Sequence, residues 1–162
     1  MRFVSPLARC FFGPYELWRI YSASLHQCSE PPPRPWTLGP LSDVEELRRA
    51  DDPSLRSLAD CSREAVAGFG AWVEGELAAA CWLWDGKRYD KGYIWPLEPG
   101  DADVLNIATA NHFRGRGIAP QSIAFSALRL RELGYRRLFA RVWHANRPSQ
   151  SGIERNGQKR GD

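Results

Sequence analysis

The stretch HFRGRGIAP, His112 to Pro120, constrains this chain of 162 residues more than any other. It follows an alternating run, DADVLNIATA (Asp101–Ala110), and precedes a helical stripe of Ile123, Ala124, Ala127, Leu128 and Leu130 that ends at Gly134. Pro120 suits a first helical turn, where its missing N–H has no intrahelical acceptor to lose, and Gly134 suits the residue just past a helix end. RRLFARVW (Arg136–Trp143) then reads as a strand with Leu138, Ala140 and Val142 on one side. Residues 100–143 therefore spell strand, glycine-rich turn, helix, strand, a crossover unit in one sheet. The pattern leaves open how far the two strands stay paired. In the first of them Val104, Asn106 and Ala108 are expected on one face, and Leu105, Ile107 and Thr109 on the other.

The first turn of a helix leaves four N–H groups without intrahelical acceptors, and the helix dipole concentrates partial positive charge there. Gly115 and Gly117 let the preceding backbone curl so that several of these groups point at one place, with no side chain in the way. Arg114 and Arg116 bring full charges to the same spot. The combination suits a diphosphate. It is not a Walker loop, because Gly117 is followed by Ile118 and Ala119 rather than Lys-Ser/Thr. Nor is it a dinucleotide fingerprint, whose third glycine would fall at Pro120.

Charge follows the same division. Residues 110–162 carry eleven Lys/Arg against three Asp/Glu, whereas residues 1–109 carry eleven against sixteen. A positive field of this kind draws a polyanion, either a phosphorylated cofactor or a nucleic acid. No nucleic-acid-binding motif accompanies it, so nucleic acid is not an expected partner, and a basic nucleic-acid-binding module is the third-ranked reading. Membranes are not expected either. No apolar run approaches the ~18 residues of a span, and prolines and a glutamate interrupt FVSPLARCFFGPYELW near the N-terminus. Cys10, Cys28, Cys61 and Cys81 are widely spaced, which reads as reduced thiols in a cytoplasmic protein with no metal site.

Elsewhere YELWRIYSASL (Tyr15–Leu25) reads as a strand, and SEPPPRPW (Ser29–Trp36) as an extended linker. A boundary is drawn there, with residues 1–35 an N-terminal extension and 36–162 the domain proper. Two short helices follow, the first with a capping-box signal at Ser42 and Glu45, the second starting at Pro53. GFGAWVEGELAAACWLWDG reads as a hairpin turning at Glu74-Gly75. Ala78, Ala80, Trp82 and Trp84 share one face of its second strand, and packing beneath a helix is the favoured role of the two tryptophans. A short strand at Tyr93–Trp95 is also expected.

Arg114-x-x-Gly117-x-Ala119, between a strand and a helix, resembles the [Q/R]-x-x-G-x-[G/A] acyl-CoA loop of the GNAT N-acyltransferase superfamily. After the next strand, NRPSQSGIERNGQ offers Asn146, Ser149 and Gly157 at that family's spacing, with Ile153 where it often has a tyrosine and Gln158 where it has a phenylalanine. The resemblance spans about residues 36–157. It implies an α+β fold, with a mixed, mostly antiparallel central sheet flanked by helices and a splayed strand pair at the cofactor site. Family members usually continue past position 157 with two more strands, which this sequence is not expected to supply: either it is a truncated or shifted product, or the wall they form comes from YELWRIYSASL or from the second subunit of a homodimer.

The same resemblance implies an acetyl-CoA-dependent N-acetyltransferase acting on a primary amine of a small molecule or protein, with acetyl-CoA as co-substrate. The alternative is a catalytically degenerate CoA-binding or interaction domain of the same fold. Backbone amides of Arg114, Gly115, Arg116, Gly117, Ile118 and Ala119 would hold the diphosphate. Ile107 and Thr109 would pair with the pantetheine arm by backbone, and an N–H near Ile107 would polarise the thioester carbonyl. Asn146, with Ser149 nearby, would bond the pantetheine amides; Asn146 also reads as a helix N-cap. Asp103 and His144 are the candidate bases, His112 a third, and no tyrosine acid is expected because position 153 is Ile.

Overall fold

The structure is a computed structural model that describes residues 18–63, 65–86, 97–147, 149–151 and 159–160. The expectations at Tyr93–Trp95 and at Ile153, Gly157 and Gln158 lie outside these residues, as do Cys10 and the start of the first expected strand.

Seven strands make one sheet: β1 (Trp18–Ser24), β2 (Thr37–Pro40), β3 (Ala67–Val73), β4 (Glu76–Asp85), β5 (Asp101–Thr109), β6 (Arg137–Trp143) and β7 (Lys159–Arg160). Their order across the sheet is β2-β3-β4-β5-β6-β1-β7. Every pairing is antiparallel except β5 with β6, the parallel pair that the crossover unit calls for. The layers on its faces are built by α1 (Val44–Arg49), α2 (Pro53–Arg56) and α3 (Ile118–Glu132).

The sheet is buried on both faces. On one, α3 covers Cys81, Leu83, Ala102, Val104, Leu138, Ala140 and Val142 with Ile123, Ala127 and Leu130. On the other, α1 and α2 bring Leu47, Leu55 and Leu58 over Ala78, Ala80, Trp82 and Trp84. Trp82 is core, as expected, and its indole N–H donates to the Leu58 carbonyl at 2.8 Å.

The crossover helix buries Ile123, Ala127 and Leu130 of its apolar stripe, but the buried face is turned toward its serines. Ser122 and Ser126 are inside, while Ala124 and Leu128 are only partly covered. Each serine returns its hydroxyl to the carbonyl four residues back, at 3.1 and 2.7 Å, which removes the penalty for burying it. Ser126 also lies 3.2 Å from the Cys81 thiol of β4. Small hydroxyl residues here let α3 approach the strands. At the start of α1 the cap is Asp43 rather than Ser42: its carboxylate accepts the Glu45 N–H at 2.9 Å. The Glu74-Gly75 turn forms as expected, with both residues at positive φ.

Two further departures shape the cofactor side. The expected alternation along β5 breaks at Leu105. Trp82 of β4 faces Asn106 while Leu83 faces Val104, so Leu105 is an extra residue, a β-bulge. Val104 and Ile107 consequently share the α3 face. Trp18–Ser24, within the stretch read as an N-terminal extension, form β1, which lies antiparallel along the whole of β6 from Trp18↔Trp143 to Ser24↔Arg137. The strand read in YELWRIYSASL thus takes the place beside β6, with β7 at its outer edge. From Cys28 to Trp36 the proline-rich segment is fixed along α3. Arg131 donates to the Cys28 carbonyl, Gln121 to the Pro32 carbonyl, and the Trp36 indole to Gln121.

Candidate active site

The bulge at Leu105 has a geometric consequence. Pairing between β5 and β6 runs from Asp101↔Arg137 to Val104↔Ala140 and stops there, although β5 continues to Thr109 and β6 to Trp143. A bulge bends and twists the strand that carries it, so β5 leaves β6 one residue before the insertion. The result is a V, closed at Val104 and Ala140 and open toward Thr109 and Trp143.

The backbone groups in the open arm can be assigned. Ala110 donates its N–H to the Ala78 carbonyl of β4 at 2.9 Å. Successive residues of a strand point their amides to opposite edges. Ala108 therefore faces β4 like Ala110, and the N–H and C=O of Ile107 and Thr109 face into the V. These are the two residues expected to meet the pantetheine arm.

At the end of β5 a single turn, Asn111–Phe113, leads into the glycine-rich loop. Gly115 and Gly117 stand at φ +79° and +84°, a region costly for side-chain-bearing residues, and a Cβ on either would meet open space. The glycines are required by conformation and leave the loop's outer surface bare. Gly117 caps α3 without a side-chain bond. Among the described residues, the amides of Gly115, Arg116, Gly117, Ile118 and Ala119 donate to no acceptor. These five N–H groups, three on the exposed loop and two in the first turn of α3, form the kind of amide run that can receive an anion.

The arginines are folded back onto the loop. Arg114 donates from Nε to the Thr109 carbonyl at 3.1 Å; Arg116 donates to the His112 carbonyl at 3.2 Å and lies over the Phe113 ring. Both remain exposed.

Sequence reasoning missed the residue that anchors this loop. Asp52, the N-cap of α2, bonds Ser54 through one carboxylate oxygen and receives the Asn111 N–H on the other at 2.7 Å. The Ser54 hydroxyl, the Asn111 amide, the Ser54 amide and nearby Arg114 together lower its pKa to about 2. The Asp52-Pro53-Ser54 cap signal was legible; its partner 59 residues away was not. A carboxylate with depressed pKa stabilises the fold above its ordinary range near 4, and that contribution disappears as pH falls through about 2. Asp52→Ala should lower the melting temperature at pH 7, and the difference from wild type should shrink in a thermal melt series taken toward pH 2.

The two candidate bases occupy different ends of the V. Asp103 sits at its closed end, opposite Trp84 of β4, wholly buried. Its Oδ2 accepts from Arg141 Nε of β6 at 3.0 Å, and Oδ1 has no hydrogen-bond partner among the described residues. Burial pushes its pKa up, opposed by Arg141, and the outcome is about 6. His144 lies exposed just past β6 at the open end, its ring edge-on to Trp143, which is itself 49% exposed. Asn146 is also at this end. Its Oδ1 accepts the Ser149 N–H at 3.3 Å, and its carbonyl the Gln150 N–H, so the N-cap reading holds. His112 is drawn away to Glu76 at 2.9 Å. Ile107, Thr109 and the loop from Arg114 to Ala119 are thus consecutive along one arm, Asp103 lies at the vertex, and His144, Asn146 and Ser149 lie beyond the other arm.

The fold has counterparts among known proteins. The family model described as acetyltransferase (GNAT) family matches residues 17–157. The chain belongs to that family. Its fold is similar to a putative GNAT acetyltransferase from Novosphingobium aromaticivorans (17% identity, TM-score 0.61, 89% of this chain and 59% of that one). It is also similar to a GCN5-related N-acetyltransferase from Sphaerobacter thermophilus (16%, 0.66, 99% and 55%). A third likeness is to the GCN5-related glucosamine N-acetyltransferase region of a fungal multi-domain GH3 β-N-acetylglucosaminidase (15%, 0.67, 96% and 22%). At these identities the likeness is one of fold, and the chain spans under two thirds of each of these proteins. None of the curated proteins matches the sequence. Among the described residues, no group of His, Cys, Asp or Glu could hold a metal ion, and no helix is long and apolar enough to cross a membrane.

Proposed function

We propose that this chain is an acyl-CoA-dependent N-acyltransferase, most simply an acetyltransferase acting on a primary amine. The observation that carries the reading is the run of five unengaged amides from Gly115 to Ala119, directly beyond a strand edge where the backbone groups of Ile107 and Thr109 turn away from β4, the Thr109 carbonyl held for the present by Arg114. A diphosphate fits the first feature and an amide-bearing arm the second, in that order along the backbone. Coenzyme A has both parts joined in one molecule and supplies an acyl group activated as a thioester.

On this reading the Arg114–Ala119 backbone binds the diphosphate, with the Arg114 and Arg116 guanidinium groups swinging out to add charge. Ile107 and Thr109 hold the arm as an added strand would, and the Ile107 N–H is placed for a carbonyl oxygen that gains negative charge. Asn146 bonds the arm from the opposite side through its Nδ2, which its capping role leaves available. Asp103 takes the proton that the amine must lose, being ionised above about pH 6 and having Oδ1 to spare. A thiol leaving group with an ordinary pKa of about 8.5 departs without a dedicated acid. Much of the rate then comes from holding amine and thioester together.

Calorimetric titration with acetyl-CoA tests the binding half. Saturable binding at micromolar protein is expected; no heat at high micromolar protein would overturn the proposal. Release of free CoA with a panel of primary amines tests the other half, and binding without amine-dependent release would instead mark a CoA-binding domain that has lost turnover.

A further inference from the structure

The geometry points to Arg141 as the residue that positions the proton acceptor, a role resting on the proposed part of Asp103. Two carboxylates on β5 reach across to arginines on β6, in different ways. Asp101 meets its register partner Arg137 with two bonds, at 2.7 and 2.6 Å. Asp103 has Phe139 as its register partner and reaches diagonally, two residues further, to Arg141. That residue lies beyond Ala140, where backbone pairing has ended. The Asp103–Arg141 contact therefore crosses the V at its vertex, and a side-chain ion pair takes over where the main-chain ladder stops.

Arg141 donates from Nε to Oδ2, and Oδ1 has no hydrogen-bond partner among the described residues. Its own side chain is 17% exposed against 0% for Asp103, so it is the outer member of the pair. The other described charged pair of this strand pair on the same face, Asp101 with Arg137, is already committed. Arg141 is thus the nearest cation favouring the ionised form of a buried carboxylate, and it fixes the carboxylate's rotation as well. The β1 strand supports it from behind, with Ile20 directly opposite Arg141.

The test compares wild type, Arg141→Met and Arg141→Lys by two readouts. The first is the ¹³C carboxyl resonance of Asp103, identified by its loss in Asp103→Asn, followed against pH without substrate. The second is the pH dependence of kcat/KM with acetyl-CoA and whichever amine the panel reveals. Removing the cation should raise the Asp103 midpoint by about one pH unit or more, and Lys should restore most of it. The acid limb of kcat/KM should move by the same amount. Arg141→Gln, which keeps the polar stem, carries the same comparison if the methionine variant does not fold. A resonance that stays put in the variants overturns the inference while leaving Asp103 as base intact. A resonance that moves while the acid limb does not overturns Asp103 as base, and Arg141's part in the reaction with it.

Discussion

Gly117→Glu should abolish measurable acetyl-CoA binding, raising Kd at least a hundredfold, while the protein still folds. A Cβ at this position meets nothing, so the effect is not a clash within the protein. Two other causes combine. Gly117 stands at φ +84°, and a residue with a side chain relaxes from that region, turning the amides of Ile118 and Ala119 away from their common focus. The added carboxylate also faces a dianionic ligand. Two unit charges ~4 Å apart at an effective dielectric near 20 interact by about 4 kcal/mol, more than the roughly 2.7 kcal/mol that corresponds to a hundredfold. Gly117→Ala separates the causes, since it carries the conformational penalty without the charge and should weaken binding far less. Calorimetry on both variants checks this, with circular dichroism to establish that each is folded. Equal losses in the two would place the effect in loop shape alone.

Asp103→Asn should cost roughly a hundredfold to ten-thousandfold in kcat, the usual range for losing a proton acceptor, with the KM for acetyl-CoA nearly unchanged. The pH dependence follows from the raised pKa. At about 6 the wild-type carboxylate takes up a proton well above its ordinary range, so kcat/KM should fall as pH drops through 6. The asparagine variant should lack that limb. Stability carries the opposite sign. A carboxyl whose folded pKa is raised favours the native state below its unfolded value near 4, and that contribution is lost as pH rises through about 6. Wild type should therefore gain stability relative to Asp103→Asn as pH is lowered from 7 to 4, even as it loses activity. Denaturant unfolding of both proteins at the two pH values measures it.

What was legible in the chain was local. The strand, glycine turn, helix and strand between Asp101 and Trp143 are each written in neighbouring residues, as are the Glu74-Gly75 turn and the start of α2 at Pro53. The amide cradle could be read because its cause, two glycines ahead of a helix, lies within a few positions. The bulge at Leu105 could not, because one inserted residue in an apolar strand changes no composition and shows only against the partner β4. Ser122 and Ser126 fall outside the apolar stripe of α3, yet hydroxyls that bond the previous turn are cheap to bury. Asp52 with Asn111, and Asp103 with Arg141, join positions 59 and 38 apart; nothing in either neighbourhood names the other. The short edge strand β2 was hidden by Gly39 and Pro40, which are poor strand formers tolerated at a margin. At the candidate site the backbone contribution was thus foreseeable, and the side-chain network that tunes it was not.

The place of β1 has a consequence for how the molecule is made. Trp18 and its partner Trp143 are more than a hundred residues apart, so the second strand of this pair leaves the ribosome long after the first. During synthesis β1 has no ladder to join, while the β3–β4 hairpin and the crossover unit can close on themselves. The outer flank of the cleft is accordingly the last part to assemble. Until then the free edge of β6 is exposed to chaperones and to neighbouring nascent chains.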